Sequence, residues 1–224
     1  MGVESNYYIM PASSWIRPAP EAIESLIRSL QNNQYLGEGL NWSVGTTKAS
    51  GSMVDLRASL DANCSSDIRV RWQIPDFTES GLRYPLTKTP GPDGVYYDIE
   101  IHLVGDTAYK SSEIVKPFDS IQHTCGLEIG ESPSPDPDVF GAGRLPSTCP
   151  ACGESLDYAQ IPMMLCDPMT GAQEAGCGGI TYRCAIVVDC GKYFPDYGTN
   201  VDPCFISLIE LALGDRLRVM QDFY

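Results

Sequence analysis

Apolar and polar positions alternate with a period of two along three stretches of the chain. Val54, Leu56, Ala58 and Leu60 alternate with Asp55, Arg57 and Ser59, and Ile68, Val70, Trp72 and Ile74 alternate with Arg69, Arg71 and Gln73. Val95, Tyr97, Ile99, Ile101 and Leu103 alternate with Tyr96, Asp98, Glu100 and His102. Alternation of this kind turns one face of a strand to a core and the other to water. Met53–Leu60, Ile68–Ile74 and Val95–Val104 are therefore predicted strands of an antiparallel sheet.

Helical spacing brackets these strands. After a short strand at Asn6–Met10, Pro20 opens a helix whose Ile23, Leu26, Ile27 and Leu30 recur at i, i+3, i+4 and i+7, and Gly37 and Gly39 mark its exit loop. Towards the other end, Asp202 is an N-cap, Pro203 a first helical residue and Gly214 a stop, with Phe205, Leu208, Ile209 and Ala212 as the apolar stripe between them. A strand at Arg216–Phe223 follows. Ile180–Val188 also reads as a strand, and Ile114–Ile121 is compatible with an edge strand.

Residues 131–138 read ESPSPDPD, and their alternating prolines forbid a helix or sheet interior. A linker over 131–144 then separates an α+β sheet domain, 1–130, from a Cys-rich region, 145–200. Residues 201–224 are expected to return as helix and strand onto the N-terminal sheet. The fold class is α+β: an antiparallel sheet with flanking N- and C-terminal helices and a Cys-rich subregion.

Charge narrows the function. The chain of 224 residues carries 15 Lys+Arg against 29 Asp+Glu, a net charge of −14. Most of the excess lies beyond residue 110. Nucleic acid and anionic membranes need a positive surface, so both are disfavoured as partners, whereas a basic protein is compatible. No stretch reaches the roughly 18 apolar residues of a membrane span, and MGVESNYYIM lacks the basic-then-apolar order of a secretory signal.

Nine cysteines are present, at 64, 125, 149, 152, 166, 177, 184, 190 and 204. An odd count in a long chain points to a reducing, cytoplasmic compartment, with some thiols in the core and a few as metal ligands. Cys149-Pro150-Ala151-Cys152-Gly153 places two thiols in one tight turn, with a glycine to take the positive φ that the turn needs. These five residues resemble the first knuckle of a zinc ribbon, which implies a zinc-ribbon-like subregion and a second knuckle. Cys190-Gly191-Lys192 looks like the tail of such a knuckle, which makes Cys149, Cys152 and Cys190 the expected metal ligands and zinc the expected structural ion. Val187 and Tyr193, three residues to either side of Cys190, are not thiols, so the fourth ligand is open. Cys184 shares strand parity with Ile186 and Val188 and reads as a core thiol. Cys166 and Cys177 can bind metal, pair with each other, or do neither.

Two other constellations carry chemistry. Asp98, Glu100 and His102 share a strand face, which fits either a solvated sheet surface, the favoured reading, or an acid/base or metal site. His123 and Cys125 would share a face of a strand, but no third group or oxyanion donor accompanies them. The chain lacks GxSxG, GxxxxGK[ST], HExxH, an EF-hand loop and a GxGxxG after a strand. The expected function is a non-enzymatic, acidic interaction or adaptor protein, an inhibitor or immunity-type protein being one form, with a structural zinc knuckle. The alternatives are a thiol oxidoreductase using Cys149 and Cys152, or a metal-assisted hydrolase on the Asp98/Glu100/His102 face.

Overall fold

A computed structural model describes residues 5–13, 16–74, 81–88, 97–110, 118–121, 123–127, 148–154, 156, 162–166, 173–177, 180–190 and 199–223. Along the chain these form β1 (Ser5–Pro11), α1 (Pro20–Asn32), β2 (Leu40–Val44), β3 (Thr47–Gly51), α2 (Met53–Ala62), β4 (Ile68–Ile74) and β5 (Tyr97–Lys110). There follow β6 (Phe118–Ile121), β7 (Pro162–Cys166), β8 (Gln173–Cys177), β9 (Ile180–Asp189), α3 (Pro203–Leu213) and β10 (Leu217–Phe223). The linker expected at 131–144 and its boundary lie outside the described residues, as does Trp15.

Seven strands make one sheet in the order β10-β1-β9-β5-β4-β2-β3, antiparallel throughout. With three helices beside it, the fold is α+β. A second sheet has the order β6-β7-β8. β9, expected in the Cys-rich region, is instead an interior strand of the main sheet, between β1 and β5. Among the last elements, α3 contacts α1, and β10 pairs with β1.

The apolar stripe of α1 explains where the core sits. Ile23, Leu26, Ile27 and Leu30 are fully buried with Ile9 of β1, Ile99 and Ile101 of β5, Ile186 and Val188 of β9, and Phe205 and Ile209 of α3. Each such side chain stabilises by about 1.5–3 kcal/mol relative to its exposed state. The ends of α3 are fixed as its sequence predicts. The Cys204 N–H donates to Asp202 Oδ1 at 2.9 Å, and Gly214 closes the helix at φ +67°. The Tyr35 hydroxyl also donates to Asp202, at 2.5 Å, and the Tyr35 ring meets Phe205 edge-on at 4.9 Å, so the cap of α3 is tied to the loop after α1.

Residues 53–62 correct the sequence expectation, because they form a helix rather than a strand. The Ser52 side chain accepts the Asp55 N–H and the Asp55 carboxylate accepts the Ser52 N–H, a capping box that nucleates the helix. Leu56 and Leu60, four apart, are its buried pair, whereas Val54 is 75% exposed. The apparent alternation is thus an i, i+4 pair with two bystanders. The strands the sheet needs come from the preceding hairpin, β2 and β3, which turns at Gly45 with φ +55°.

β5 breaks register against β9 between Leu103 and Ala108. Gly105 sits in that irregularity, where a Cβ would stand 2.0 Å from the Ser65 carbonyl oxygen, so only glycine fits.

The face of the sheet away from the helices is also largely out of water. Tyr8, Met10, Tyr182, Ala185 and Val187 form a second apolar cluster there.

Candidate metal centre

Two short turns converge on one point. In the first, the Gly126 N–H donates to the His123 carbonyl at 2.8 Å and the His123 N–H to the Leu127 carbonyl at 2.9 Å. In the second, the Gly153 N–H donates to the Cys149 carbonyl at 2.8 Å and the Cys149 N–H to the Glu154 carbonyl at 2.8 Å. Each turn ends in a Cys-Gly pair whose glycine is left-handed, φ +85° at Gly126 and φ +76° at Gly153. A side chain at either position would strain the turn. The expected knuckle at Cys149–Gly153 is therefore present, and its counterpart is His123-Thr124-Cys125-Gly126.

The turns bring His123, Cys125, Cys149 and Cys152 together with one ligand atom each, all within 4.8 Å of one another. Cys125 Sγ lies 3.6 Å from Cys149 Sγ, and His123 Nδ1 lies 3.1 Å from Cys125 Sγ and 3.7 Å from Cys152 Sγ. Zinc bonded to sulfur at about 2.3 Å and to nitrogen at about 2.0–2.1 Å, at tetrahedral angles, needs S···S edges of roughly 3.8 Å and S···N edges of roughly 3.5 Å. The S···N edges of 3.1 and 3.7 Å bracket the second value, and the S···S edge of 3.6 Å lies just below the first. All three cysteines are free thiols. His123 and Cys149 are buried, whereas Cys125 and Cys152 face solvent.

Backbone donors prepare the Cys149 sulfur for negative charge. Burial resists ionisation of Cys149, but N–H groups of Cys152 and Ala151, then the Cys152 and Cys125 side chains, outweigh it and lower its pKa. The Glu154 N–H lowers that of Cys152, but burial and the neighbouring Cys149 and Cys125 sulfurs outweigh it and raise the net value. One thiol is thus poised to ionise ahead of the other, as expected for sulfurs crowded around a point where a cation would offset their charge. Glu154 also reaches the imidazole, its Oε2 lying 3.5 Å from His123 Nε2. Nδ1, which accepts the Cys125 N–H at 3.4 Å, faces the sulfurs, and a carboxylate at Nε2 suits that arrangement.

Cys190 is not part of the group. It is buried in the core on the helix side of the main sheet, and burial, reinforced by Asp189 and opposed by Tyr84, pushes its thiol up to about 12. Cys184 is likewise a core thiol, pushed up to about 12 by burial against a smaller pull from Arg17. In the β7–β8 register, Cys166 pairs with Gln173 and Cys177 with Pro162. Four steps of about 3.3 Å separate these positions, too far for a disulfide or a shared ion.

The Asp98/Glu100/His102 face is not solvated as expected: Asp98 is 0%, Glu100 8% and His102 6% exposed. Arg71 of β4 pairs with Asp98 and lies 3.0 Å from Glu100, and Glu100 Oε2 lies 2.6 Å from His102 Nε2. Burial raises the Glu100 pKa, but the His102 contact and the charges of His102, Arg71 and Arg69 outweigh it and lower the net value. A guanidinium holds these carboxylates where a metal would have to sit. Among the described residues, His123, Cys125, Cys149 and Cys152 make up the group gathered closely enough to hold an ion. No helix among those residues is long and apolar enough to cross a membrane.

No protein-family model, curated protein or solved structure matches this chain.

Proposed function

We propose that the protein is a non-enzymatic, acidic binding protein of the cytoplasm, stabilised by one structural zinc ion on His123, Cys125, Cys149 and Cys152. The observation that carries this reading is the mutual approach of the four ligand atoms within 4.8 Å. Three thiolates and an imidazole are a soft, tetrahedral donor set that favours zinc over calcium or magnesium. Four protein ligands leave no open coordination position, which is the mark of a structural site rather than a catalytic one. Free thiols in the ligand set suit a reducing compartment. The net charge of −14 favours a basic protein as partner.

Metal analysis of protein purified without added zinc tests the site. About one zinc per chain is expected, and cobalt exchange should give the visible absorption of a tetrahedral thiolate complex. Metal-free protein with a reversible Cys149–Cys152 disulfide would overturn the reading in favour of redox chemistry. The partner class is tested by co-purification in buffers of increasing ionic strength. A basic partner should be retained at low salt and lost near 0.5 M, where charge attraction is screened over about 4 Å. Retention that ignores salt removes the charge argument.

A further inference from the structure

We infer that the cavity beside the start of α1 binds a small ligand with a phosphoryl-type oxyanion on an apolar body. The cavity is a cleft of about 230 Å³ open to solvent on one side, and Arg17 and Arg183 line it together with Ile23, Leu60 and Leu103. Neutral carbonyls hold both guanidinium groups. Arg17 Nη1 donates to the Ser66 carbonyl at 2.6 Å and Nη2 to the Asn63 carbonyl at 3.3 Å, while Arg183 Nη2 donates to the Gly105 carbonyl at 2.9 Å. Four other arginines, Arg28, Arg57, Arg71 and Arg83, have carboxylate partners. Among the described residues, Arg17 and Arg183 have none, in a chain with nearly twice as many acidic as basic groups.

Four further features point the same way. The buried Arg183 Nε has no hydrogen-bond partner. Burial, then the repulsion of Arg183, holds the Arg17 pKa below its ordinary value, against opposing pulls from Cys64, Asp67 and Cys184. Asp67 accepts the Gly105 N–H at 2.9 Å, which fixes the bulge that carries the Arg183 anchor. The positive end of the α1 dipole opens on the same cavity, where Ala19 supplies no side-chain cap. Two guanidinium groups anchored on neutral carbonyls and a helix end suit a dianion, and the Ile23, Leu60 and Leu103 walls suit an apolar body behind it. The cavity residues are separate from the four metal-site residues, so this inference stands apart from the zinc reading.

Isothermal titration of the metal-replete protein with phenyl phosphate, inorganic phosphate and benzoate tests it. Phenyl phosphate should bind saturably, about tenfold or more tighter than the other two, and Arg183→Gln should weaken it at least about tenfold. Arg183→Lys keeps the charge without the fork and should fall between. Cys64, an exposed thiol on the cavity wall, gives a readout without any substitution. Phenyl phosphate should slow its alkylation and leave that of exposed Cys204 unchanged. Tighter binding of benzoate overturns the phosphoryl assignment, and equal binding of inorganic phosphate overturns the apolar body. No saturable binding, or binding indifferent to Arg183, overturns the site.

Discussion

The Nδ1 of His123 stands 3.7 Å from the Sγ of Cys152, 29 positions further along the chain. Neither turn gathers enough donors alone, since each supplies only two. An ion bound there fastens residues 123–127 to residues 148–154. Ordering both turns without an ion would crowd three sulfurs and an imidazole with nothing to offset them.

The ligand assignment separates cleanly by substitution. His123→Ala or Cys125→Ser should reduce the metal from about one per chain to a small fraction, with loss of protection from proteolysis between the two turns. Cys190→Ala should leave the metal in place and cost about 1–2 kcal/mol through a lost core contact. Elemental analysis alongside urea denaturation reads both. Metal lost from the Cys190 variant but kept in the His123 variant would falsify the site.

Glu154 supports the imidazole from behind, so its removal should loosen the metal without unfolding the protein. Glu154→Gln is expected to weaken zinc binding by about tenfold, measured by competition with a chromogenic chelator. The exposed carboxylate makes little other contribution to stability.

Stability at low pH should depend on Glu100. Its folded-state pKa is lowered, so the stability it adds is fully present above the unfolded value and lost as pH falls through the folded one. The loss should begin near pH 4.3, the ordinary glutamate value. Glu100→Gln should flatten that part of the curve relative to wild type. A related change, Arg71→Met, leaves Asp98 buried without its guanidinium. It should cost about 2–3 kcal/mol, less than a wholly buried pair would, because Arg71 is 44% exposed.

The alkaline limb should report on the core thiols. Cys184 and Cys190 are both pushed up to about 12, so the unfolded chain ionises first. Their contribution is whole below about pH 8.5 and declines as pH rises towards 12. Between pH 9 and 10 the two together should remove about 2.4 kcal/mol, and Cys184→Ala with Cys190→Ala should abolish that slope. Denaturation midpoints at pH 8, 9 and 10 provide the check.

The helices at both ends were readable because capping residues and apolar stripes agree, as at Asp202, Phe205, Ile209 and Gly214. Met53–Ala62 was not, because Leu56 and Leu60 satisfy a period of two and a spacing of four alike. Ser52 and Asp55 carried the deciding signal through their reciprocal cap. At the metal centre, the first knuckle was legible from Cys149 and Cys152 alone. The second lies upstream, with a histidine in place of one thiol and one residue fewer in its turn, so a search for CxxC downstream leads to Cys190. The shared mark is the Cys-Gly step at Cys125-Gly126 and Cys152-Gly153, which a turn geometry imposes whatever the first ligand is. The Asp98/Glu100/His102 face misleads for another reason. Alternation records which face is polar, but not whether that face is later covered.

The strand order has a last consequence, for assembly in time. β1 sits between β9 and β10, so both of its partners are made long after it. A growing chain therefore carries Ser5–Pro11 without either neighbour while the intervening residues are added, since Ile9 waits for Ile186 for roughly 9–35 s at about 5–20 residues per second. Helper proteins that shield a lone, apolar strand would act in that interval.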